Sequence, residues 1–340
     1  MSLIPATILT GFLGSGKTTL LKRMLSELHG LKIAVIENEF GEENIDSEIL
    51  VSEANEQIIQ MSNGCICCSI REDLSSSLGL LAAKKRNGML DFDRVVIETT
   101  GLADPGPVAQ TFFLDSQIAK NYVLDSIVTL VDAKHAQKQL DDRQEARRQV
   151  GFADRIFISK TDLVAETEVD ALADRLRHMN PRAPQRKAHF GEVAIGEIFD
   201  LHGFNLDSRL DIDPDFLAEG DCGHHDHDHG DCCHLPHHHH HDDDVKSFVF
   251  RTERAFEAIK LENFFGMITK TYGPQMLRYK GVLSVKGADR KIIFQGVHGL
   301  IGNDFGPRWA EGETRKSKMV FIGVNLPEAI FFDGLEKCLT

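Results

Sequence analysis

The segment "GFLGSGKT", residues 11–18, fits the pattern G-x-x-x-x-G-K-[ST] at every position. A strand-like apolar run precedes it and a helical pattern follows, which is the context in which this pattern binds phosphates. Its glycines allow backbone N–H groups to wrap a diphosphate, Lys17 would reach the β- and γ-phosphates, and the Thr18 hydroxyl would ligate Mg²⁺. We therefore predict a nucleotide-binding loop whose contacts come from Gly11, Gly14, Ser15, Gly16, Lys17, Thr18 and Thr19.

Around this loop, from residue 4 to about residue 199, short apolar runs alternate with longer amphipathic stretches. The runs are rich in Val, Ile and Leu, as in strands that are buried on both faces of a parallel sheet. The predicted strands lie at 7–12, 32–39, 57–61, 94–100, 126–133 and 155–160, and the clearest helices at 17–28 and 71–85. This alternation predicts an α/β domain with a doubly wound, mostly parallel sheet.

The composition changes abruptly at residues 220–244, which hold ten of the sixteen histidines, seven aspartates and three cysteines. With so few apolar residues, this tract is predicted to be a linker or loop. Beyond it, a smaller α+β domain is predicted from strand-like runs at 245–253, 281–287, 291–297 and 318–324 and helical stretches at 261–271 and 327–338. We therefore divide the chain into a P-loop domain (1–205), a linker (206–244) and a C-terminal domain (245–340).

The formal net charge of −14 argues against nucleic acid or an anionic membrane surface as a partner, because both require clustered Lys and Arg. No run of about 18 apolar residues occurs, and residues 1–9 lack the features of a signal peptide. The seven cysteines are odd in number and clustered, which is unlike a disulfide framework. We expect a cytoplasmic protein whose thiols stay reduced.

A second nucleotide element is "RVVIETTG", residues 94–101, in which an apolar strand ends at an acid. Glu98 would act from the Mg²⁺ shell or position the attacking water, and Gly101 could offer its N–H to a γ-phosphate. Aspartate is the usual acid at this place, so the role of Glu98 stays open. The alternative is an ordinary strand end with a solvated glutamate.

A third element is "ISKTDL", residues 158–163, which resembles the guanine-binding motif N/T-K-x-D after a late strand. The Asp162 carboxylate would accept hydrogen bonds from both N1–H and the exocyclic amine of guanine, an arrangement that adenine does not offer. The stem of Lys160 would pack over the base, and Ser159 stands where Asn or Thr is more usual. The motif favours GTP over ATP, with a helix-capping Ser or Asp as the alternative.

Three of the seven cysteines lie within "NGCICC", residues 63–68. A C-x-C-C spacing does not suit a Cys₄ zinc ribbon, because the α/β domain contains no second cysteine pair. In an extended segment Cys65 and Cys67 would face the same side, so a tetrahedral Zn²⁺ would need one or two further ligands. Glu37 and Glu42 of "VIENEFGEE", residues 35–43, are the candidates, and Co²⁺ or Ni²⁺ would also suit this donor set. Buried free thiols and a redox switch that includes Cys68 are the alternatives.

The histidine tract contains many imidazoles beside aspartates and cysteines. The first candidates as metal ligands are His224, His225, His227 and His229. Neutral imidazole is a good ligand for Zn²⁺, Ni²⁺, Cu²⁺ and Co²⁺. Because nothing in such a tract fixes its geometry, we expect it to hold several ions loosely. A solvated spacer without metal ligands is the alternative.

Taken together, "TGFLGSGKTTLL", "ENEFGE", "NGCICC", "ETTGLADP", "SKTD", "LRYKG" and "FQGV" resemble the CobW-type metallochaperone GTPases, close to their YjiA-like branch, in the SIMIBI class of P-loop proteins. The resemblance extends over about residues 4–335, with the histidine tract as a variable insertion. It implies a slow GTPase that cycles between GTP and GDP with Mg²⁺. It also implies a metal site at Cys65, Cys67 and Cys68 with Glu37 and Glu42, and a C-terminal domain that helps to recognise a client.

The resemblance thus favours a metallochaperone that hands zinc, or another divalent transition metal, to the apo-protein of a client metalloenzyme. A metal store that uses the histidine tract, with the GTPase secondary, is the first alternative. A P-loop kinase or ATPase with incidental thiols is the second, and Asp162 argues against it. A second copy of the chain, in a homo-oligomer, is the other partner considered.

Overall fold

The computed structural model describes residues 3–27, 30–38, 58–61, 69–188, 192–204 and 243–340. Among the described residues up to 204 there are seven strands, which are β1 (Ile4–Gly11), β2 (Ile33–Asn38), β3 (Ile58–Met61), β4 (Arg94–Glu98), β5 (Tyr122–Asp132), β6 (Arg155–Ser159) and β7 (Gln185–Ala188). They join one sheet in the order β3-β2-β4-β1-β5-β6-β7, and the pairings between neighbours are parallel. The predicted parallel sheet is confirmed, and β7, a short and polar strand, is an addition.

Helices cover both faces of this sheet, which confirms the doubly wound arrangement. They are α1 (Lys17–Ser26), α2 (Ser69–Arg86), α3 (Pro105–Leu114), α4 (Ser116–Ala119), α5 (Ala136–Asp142), α6 (Gln144–Phe152) and α7 (Glu166–Met179). On one face Leu20 and Met24 of α1 share an apolar cluster with Leu9 of β1. On the other face Leu78 of α2 and Phe112 of α3 belong to a second cluster. Among the residues described, no helix is both long and apolar enough to cross a membrane.

The strand order reverses around β1, because β4 lies on one side of it and β5 on the other. In open α/β sheets, ligands bind outside the carboxyl ends of the strands where the order reverses in this way. The segment that follows β1 is the predicted phosphate loop, and α1 begins at Lys17 directly after it. The topology therefore places residues 11–18 in the crevice where a nucleotide is expected.

The second half of the chain forms an antiparallel sheet in the order β11-β10-β9-β12-β8. Its elements are β8 (Val245–Thr252), α8 (Ala258–Tyr272), β9 (Met276–Leu283), β10 (Arg290–Val297), β11 (Leu300–Arg308), β12 (Ser317–Val324) and α9 (Glu328–Glu336). Residues of α8 and α9 pack on the sheet in a cluster rich in Phe, with Phe264, Phe321 and Phe331 among its members. The predicted smaller α+β domain is confirmed.

Two predictions within this domain need correction. The predicted strand at 281–287 is instead β9, which begins at Met276 and ends at Leu283. The first part of this strand was not predicted because it contains Arg278 and Lys280, and charged residues are usually exposed. In the structure Arg278 is fully buried against Asp154. Strand β11 is a new element, and its Gly, Asn, Asp and Pro residues are uncommon in strands.

Helix α6 packs against both sheets. A Cβ added to Gly151 of α6 would lie 2.6 Å from Leu277 Cδ1 of β9, so helix and strand are in close contact. Val150 and Phe152 of α6 accordingly belong to the same buried cluster as Ile322 of β12. The C-terminal sheet therefore rests on a helix that also borders the nucleotide crevice.

Candidate nucleotide-binding site

The phosphate loop depends on glycine at three positions. Gly11, Gly14 and Gly16 have φ values of 144°, 76° and 100°, a region that side chains with a Cβ rarely adopt. A Cβ at Gly11 would also overlap the carbonyl oxygen of Leu130, which belongs to the neighbouring strand β5. The sequence pattern thus follows from backbone conformation and close packing against β5.

Lys17 lies at the first position of α1 and turns its ammonium back over the loop. Its Nζ donates to the carbonyl oxygens of Gly11 at 2.8 Å and Phe12 at 3.4 Å. Burial lowers the pKa of Lys17, and the negative charge of Glu98 partly opposes that change. A largely buried ammonium held by two carbonyl groups lies where it can move onto phosphate oxygens within the same loop.

Carboxylates from two adjacent strands meet beside the loop. Thr18 Oγ1 donates to Glu98 Oε1 at 3.3 Å, so the predicted Mg²⁺ ligand already contacts the acid at the end of β4. Glu98 is the register partner of Glu37 at the end of β2, and register partners on parallel strands point to the same face. Hydroxyl and carboxylate oxygens are the ligands that Mg²⁺ prefers, so these residues fit the ion.

The loop after β4 packs directly on the phosphate loop. A Cβ at Gly101 would lie 2.5 Å from the backbone nitrogen of Leu13, so the two backbones are in contact there. Buried Gln149 of α6 donates from Nε2 to the carbonyl oxygens of Gly101 at 3.1 Å and Ala103 at 3.0 Å. The sequence analysis missed Gln149, because no local pattern links a residue of α6 to a loop more than forty positions earlier.

The two ends of this loop are fixed differently. At its far end Asp104 caps α3 by accepting from the N–H of Gly106 at 2.8 Å, and it also accepts from Arg148 Nη1 at 2.5 Å. Arg148 is a second residue that the sequence analysis missed. Successive residues of α6, Arg148 and Gln149, therefore hold the loop on which the γ-phosphate contact is predicted.

The predicted base-binding residues occupy the end of β6. Ser159 Oγ donates to the carbonyl oxygen of Ser15 at 2.7 Å, which ties this strand end to the phosphate loop. Lys160 adopts a left-handed φ of 54°, and its Nζ donates to Asp132 Oδ2 at 2.7 Å. Asp162 lies exposed in the short 3₁₀ helix Thr161–Leu163. Of the three residues, Ser159 thus contacts the phosphate loop, and the base-binding roles of Lys160 and Asp162 stay predictions.

Asp132, at the end of β5, is an additional residue of this region. Burial alone would raise its pKa, but hydrogen bonds from Lys160 and from His135 Nδ1, at 2.9 Å, outweigh burial and hold the pKa below its ordinary value. The buried carboxylate is therefore ionised and fixes the ammonium of Lys160. No motif in the sequence indicated this role.

A buried polar atom supports the fit of a nucleotide to this crevice. Ser15 is 1% exposed, and its Oγ has no hydrogen-bond partner within the described part of the protein. A buried hydroxyl without a partner is costly, and phosphate oxygens are strong acceptors. The loop thus contains a donor that a bound phosphate would satisfy.

Most of the predicted transition-metal ligands lie outside the described residues. These are Glu42, Cys65, Cys67, Cys68, His224, His225, His227 and His229. Glu37 is described, partly buried at the end of β2. Within the described ranges there is no group of three or more His, Cys, Asp or Glu residues placed to hold a metal ion.

Comparison with known proteins supplies the family. Residues 5–187 match the model of the CobW/HypB/UreG nucleotide-binding domain, and residues 245–339 match that of the cobalamin synthesis protein CobW C-terminal domain. The chain is 39% identical to the zinc chaperone YjiA of Escherichia coli, over 99% of this chain and 100% of that protein. It is 34% identical to zinc-regulated GTPase metalloprotein activator 1 of Dictyostelium discoideum, over 99% of this chain and 80% of that protein.

A solved structure agrees with these sequence relatives. The crystal structure of the Zn(II)-bound YjiA GTPase from E. coli superposes with a TM-score of 0.77 at 35% identity, over the full length of both chains. The two chains therefore share one fold along their full length. The chain belongs to the CobW/HypB/UreG family of nucleotide-binding proteins.

Proposed function

We propose that this protein is a GTP-hydrolysing metallochaperone that binds zinc and transfers it to client metalloproteins. The observation that carries the proposal is the pairing of Glu37 with Glu98 in register on adjacent strands. Glu98 contacts the Mg²⁺-ligand candidate Thr18, while Glu37 begins the acidic segment that precedes the predicted thiolate site. Nucleotide and transition metal would therefore share one edge of the sheet. Two relatives, a zinc chaperone and a zinc-regulated GTPase metalloprotein activator, support the same function.

The nucleotide chemistry follows from the residues around the loop. Lys17 binds the β- and γ-phosphates, and Thr18 holds Mg²⁺, which supplies positive charge against the phosphate oxygens. Glu98 orients Thr18 and accepts from water in the Mg²⁺ shell. Gly101 donates its N–H to the γ-phosphate, and Asp162 accepts from guanine. Gly14 and Gly16 let the loop backbone donate to phosphate oxygens.

The zinc site is proposed to comprise Cys65, Cys67 and Cys68 with Glu37 and Glu42. Thiolates with a carboxylate are suited to Zn²⁺, and an incomplete ligand set leaves a position open for exchange. In the proposed cycle Glu37 and Glu42 would complete the site in the GTP state, and hydrolysis would weaken it again. The described residues support only the placement of Glu37, and the thiolate part rests on the sequence.

The remaining parts of the proposal concern the partner and the compartment. The client is the apo-form of a metalloenzyme, as the name "metalloprotein activator" of one relative suggests. The C-terminal sheet helps to bind it. Because reduced thiolates are required as ligands, we place this activity in the cytoplasm.

A pair of variants tests the proposal against metal storage by the histidine tract. The first variant is Lys17→Ala, and the second removes residues 221–242. The deletion stops there because Asp243 forms two hydrogen bonds with Arg175, at 2.9 and 2.6 Å, and belongs to the fold. If the protein is a chaperone, Lys17→Ala abolishes GTP-dependent zinc transfer to a chelating reporter and the deletion retains most of it. The opposite ranking would contradict the proposal and support storage.

A further inference from the structure

The turn between β10 and β11 inserts a histidine between the two halves of the molecule. Val297 and Leu300 are paired across the turn, which leaves His298 and Gly299 at its tip. His298 has a left-handed φ of 52° and is 9% exposed. Its ring meets that of Phe152, at the end of α6, edge to face with centroids 5.2 Å apart. A residue of the C-terminal sheet is thus buried against the nucleotide-binding half.

The same imidazole lies on the first turn of α3. A Cβ added to Gly106 would lie 2.5 Å from His298 Nε2, so the ring occupies the space that a side chain at position 106 would need. The charges of Asp104 and Arg148 also act on the ring, since Asp104 raises and Arg148 lowers the pKa of His298, while burial lowers it most. Backbone groups of Gly273 and Pro274 also hydrogen-bond the ring, so His298 is held by its own half of the molecule while it faces the two charged groups that fix the far end of the loop after β4.

Only a few residues separate this contact from the phosphate loop. Gly106 donates its N–H to Asp104, and Gly101, five positions before it, packs on Leu13 of the phosphate loop. Between them, Gln149 holds the carbonyl groups of Gly101 and Ala103. The segment from 101 to 106 therefore touches the phosphate loop at one end and the C-terminal sheet at the other.

We propose that His298 is a positioning residue for the γ-phosphate contact and couples the C-terminal sheet to the state of the nucleotide. With the ring seated on Gly106, the segment 101–106 is held against the phosphate loop and Gly101 can donate to a γ-phosphate. When the sheet shifts, the ring withdraws and the segment loses that support. The inference rests on the proposed function in so far as GTP is the ligand of the loop.

If His298 positions this segment, its loss should change the affinities for GTP and GDP by different amounts, which a role in packing alone does not predict. Since Gly101 is proposed to donate to the γ-phosphate, which GDP lacks, loss of the contact lowers affinity for a GTP analogue more than affinity for GDP. A residue that served stability only would affect both nucleotides equally or neither. Coupling between two sites is typically worth about 5-fold to 150-fold in affinity, so we expect the ratio of the two affinities to fall at least ~5-fold.

Two variants disturb the contact from opposite sides. In His298→Asn the ring is removed, while Asn tolerates the left-handed φ of the turn. In Gly106→Ala a methyl group is added where the ring now lies. His178→Ala is the matched control, because His178 is an exposed histidine of α7 whose ring contacts its own helix at the Asp174 carbonyl group. Affinities of the full-length proteins for GMPPNP and for GDP are measured by fluorescent-nucleotide displacement with Mg²⁺ present.

We expect the ratio of GMPPNP affinity to GDP affinity to fall in both single variants and to keep its parental value in the His178→Ala control. In the double variant the ratio should fall no further than in the more affected single variant. A parental ratio in both single variants would overturn the role of His298. An equal loss of affinity for GMPPNP and for GDP would also overturn this role, because it would show that His298 contributes to packing only. If the parent protein binds neither nucleotide, the proposed function fails first, and that result is distinct from the others.

Discussion

Glu37 and Glu98 are direct register partners at the ends of the adjacent parallel strands β2 and β4. Glu98 accepts a hydrogen bond from Thr18, so the pair joins the predicted Mg²⁺ position to the start of the acidic segment after β2. Charges of neighbouring groups act on one another, so a change at either carboxylate is felt by the other. The pair therefore gives a physical basis for linkage between nucleotide with Mg²⁺ on one side and a transition metal on the other.

Lys17→Ala tests the phosphate loop. Because the ammonium lies inside the loop, its removal should lower the rate of GTP hydrolysis by at least about 10²-fold, the scale expected when a preorganised transition-state charge is lost. Phosphate release under saturating GTP measures the rate. Lys22→Ala, in the same helix and more exposed, is the control and should retain the parental rate. Equal rates in both variants would contradict the assignment of Lys17.

The proposed base site predicts different effects for Asp162, the base-contact candidate, and for Asp132, which holds the ammonium of Lys160. Asp162→Asn should weaken GTP binding and favour xanthosine triphosphate, because an amide donates where the carboxylate accepted. Asp132→Asn should weaken GTP binding without changing the preference between the bases, since Asp132 contacts Lys160. Competition between GTP, XTP and ATP measures both effects. A parental preference in the Asp162 variant would remove that residue from the base site.

Arg278 fastens the C-terminal sheet to the first half of the chain. It is fully buried, donates to Asp154 Oδ1 at 2.9 Å and to the Gly203 carbonyl group, and its guanidinium carbon lies 3.2 Å from the centroid of the Phe204 ring. Arg278→Met leaves the Asp154 carboxylate buried without its partner, which should lower the free energy of unfolding by about 3–5 kcal/mol.

Urea denaturation followed by circular dichroism measures this loss. Arg254→Met is the matched control, because Arg254 pairs with Glu336 at the surface, where both side chains are more than half exposed. Exposed pairs contribute little to stability, so the control should unfold near the parental midpoint. A small effect of Arg278→Met, equal to that of the control, would show that the buried pair does not hold the two sheets together.

The burial of His298 predicts a pH dependence of stability. Its pKa is lowered in the fold, against an ordinary value of 6.5, so the unfolded chain takes up the proton more readily. Stability should therefore fall as the pH drops below about 6.5, by at most ~1.4 kcal/mol per pH unit for one proton. His298→Asn removes this titration.

The test compares urea midpoints of the parent and of His298→Asn from pH 7.5 to pH 5. The parent should lose more stability than the variant over this range, and the difference should grow as the pH falls. Asp104 and Arg148, the charged groups that face the ring, are present in both proteins and so cancel in the comparison. Parallel pH profiles would mean that His298 does not resist protonation in the fold.

The sequence predicted the fold well where backbone geometry restricts residue type. Gly11, Gly14 and Gly16 occupy left-handed or tightly packed backbone positions, and β1, β2, β4, β5 and β6 are buried apolar runs whose pattern is visible locally. Strand β9 was misplaced because a charged residue such as Arg278 is usually exposed, and its burial here is stabilised by the distant residues Asp154, Gly203 and Phe204. Burial of a charge is a tertiary property, so a local pattern does not reveal it.

The site was predicted in part for the same reason. Lys17, Thr18 and Asp162 belong to short motifs, whereas Gln149, Asp132 and His298 act through contacts with segments far away in the chain. A lone Gln or His in a sequence carries no signal of such a contact. The roles assigned to the motif residues and to Cys65 and Cys67 remain predictions, and the two cysteines lie outside the described residues.

The central claim is that zinc binding and nucleotide state are linked through the edge of the sheet that carries Glu37 and Glu98. The most direct test is the zinc affinity of the full-length protein, measured by competition with a chromogenic chelator, first with GMPPNP and Mg²⁺ and then with GDP and Mg²⁺. We expect zinc to bind at least ~5-fold more tightly with GMPPNP, and Glu37→Gln to abolish the difference. Equal zinc affinities in the two nucleotide states of the parent protein would contradict the account.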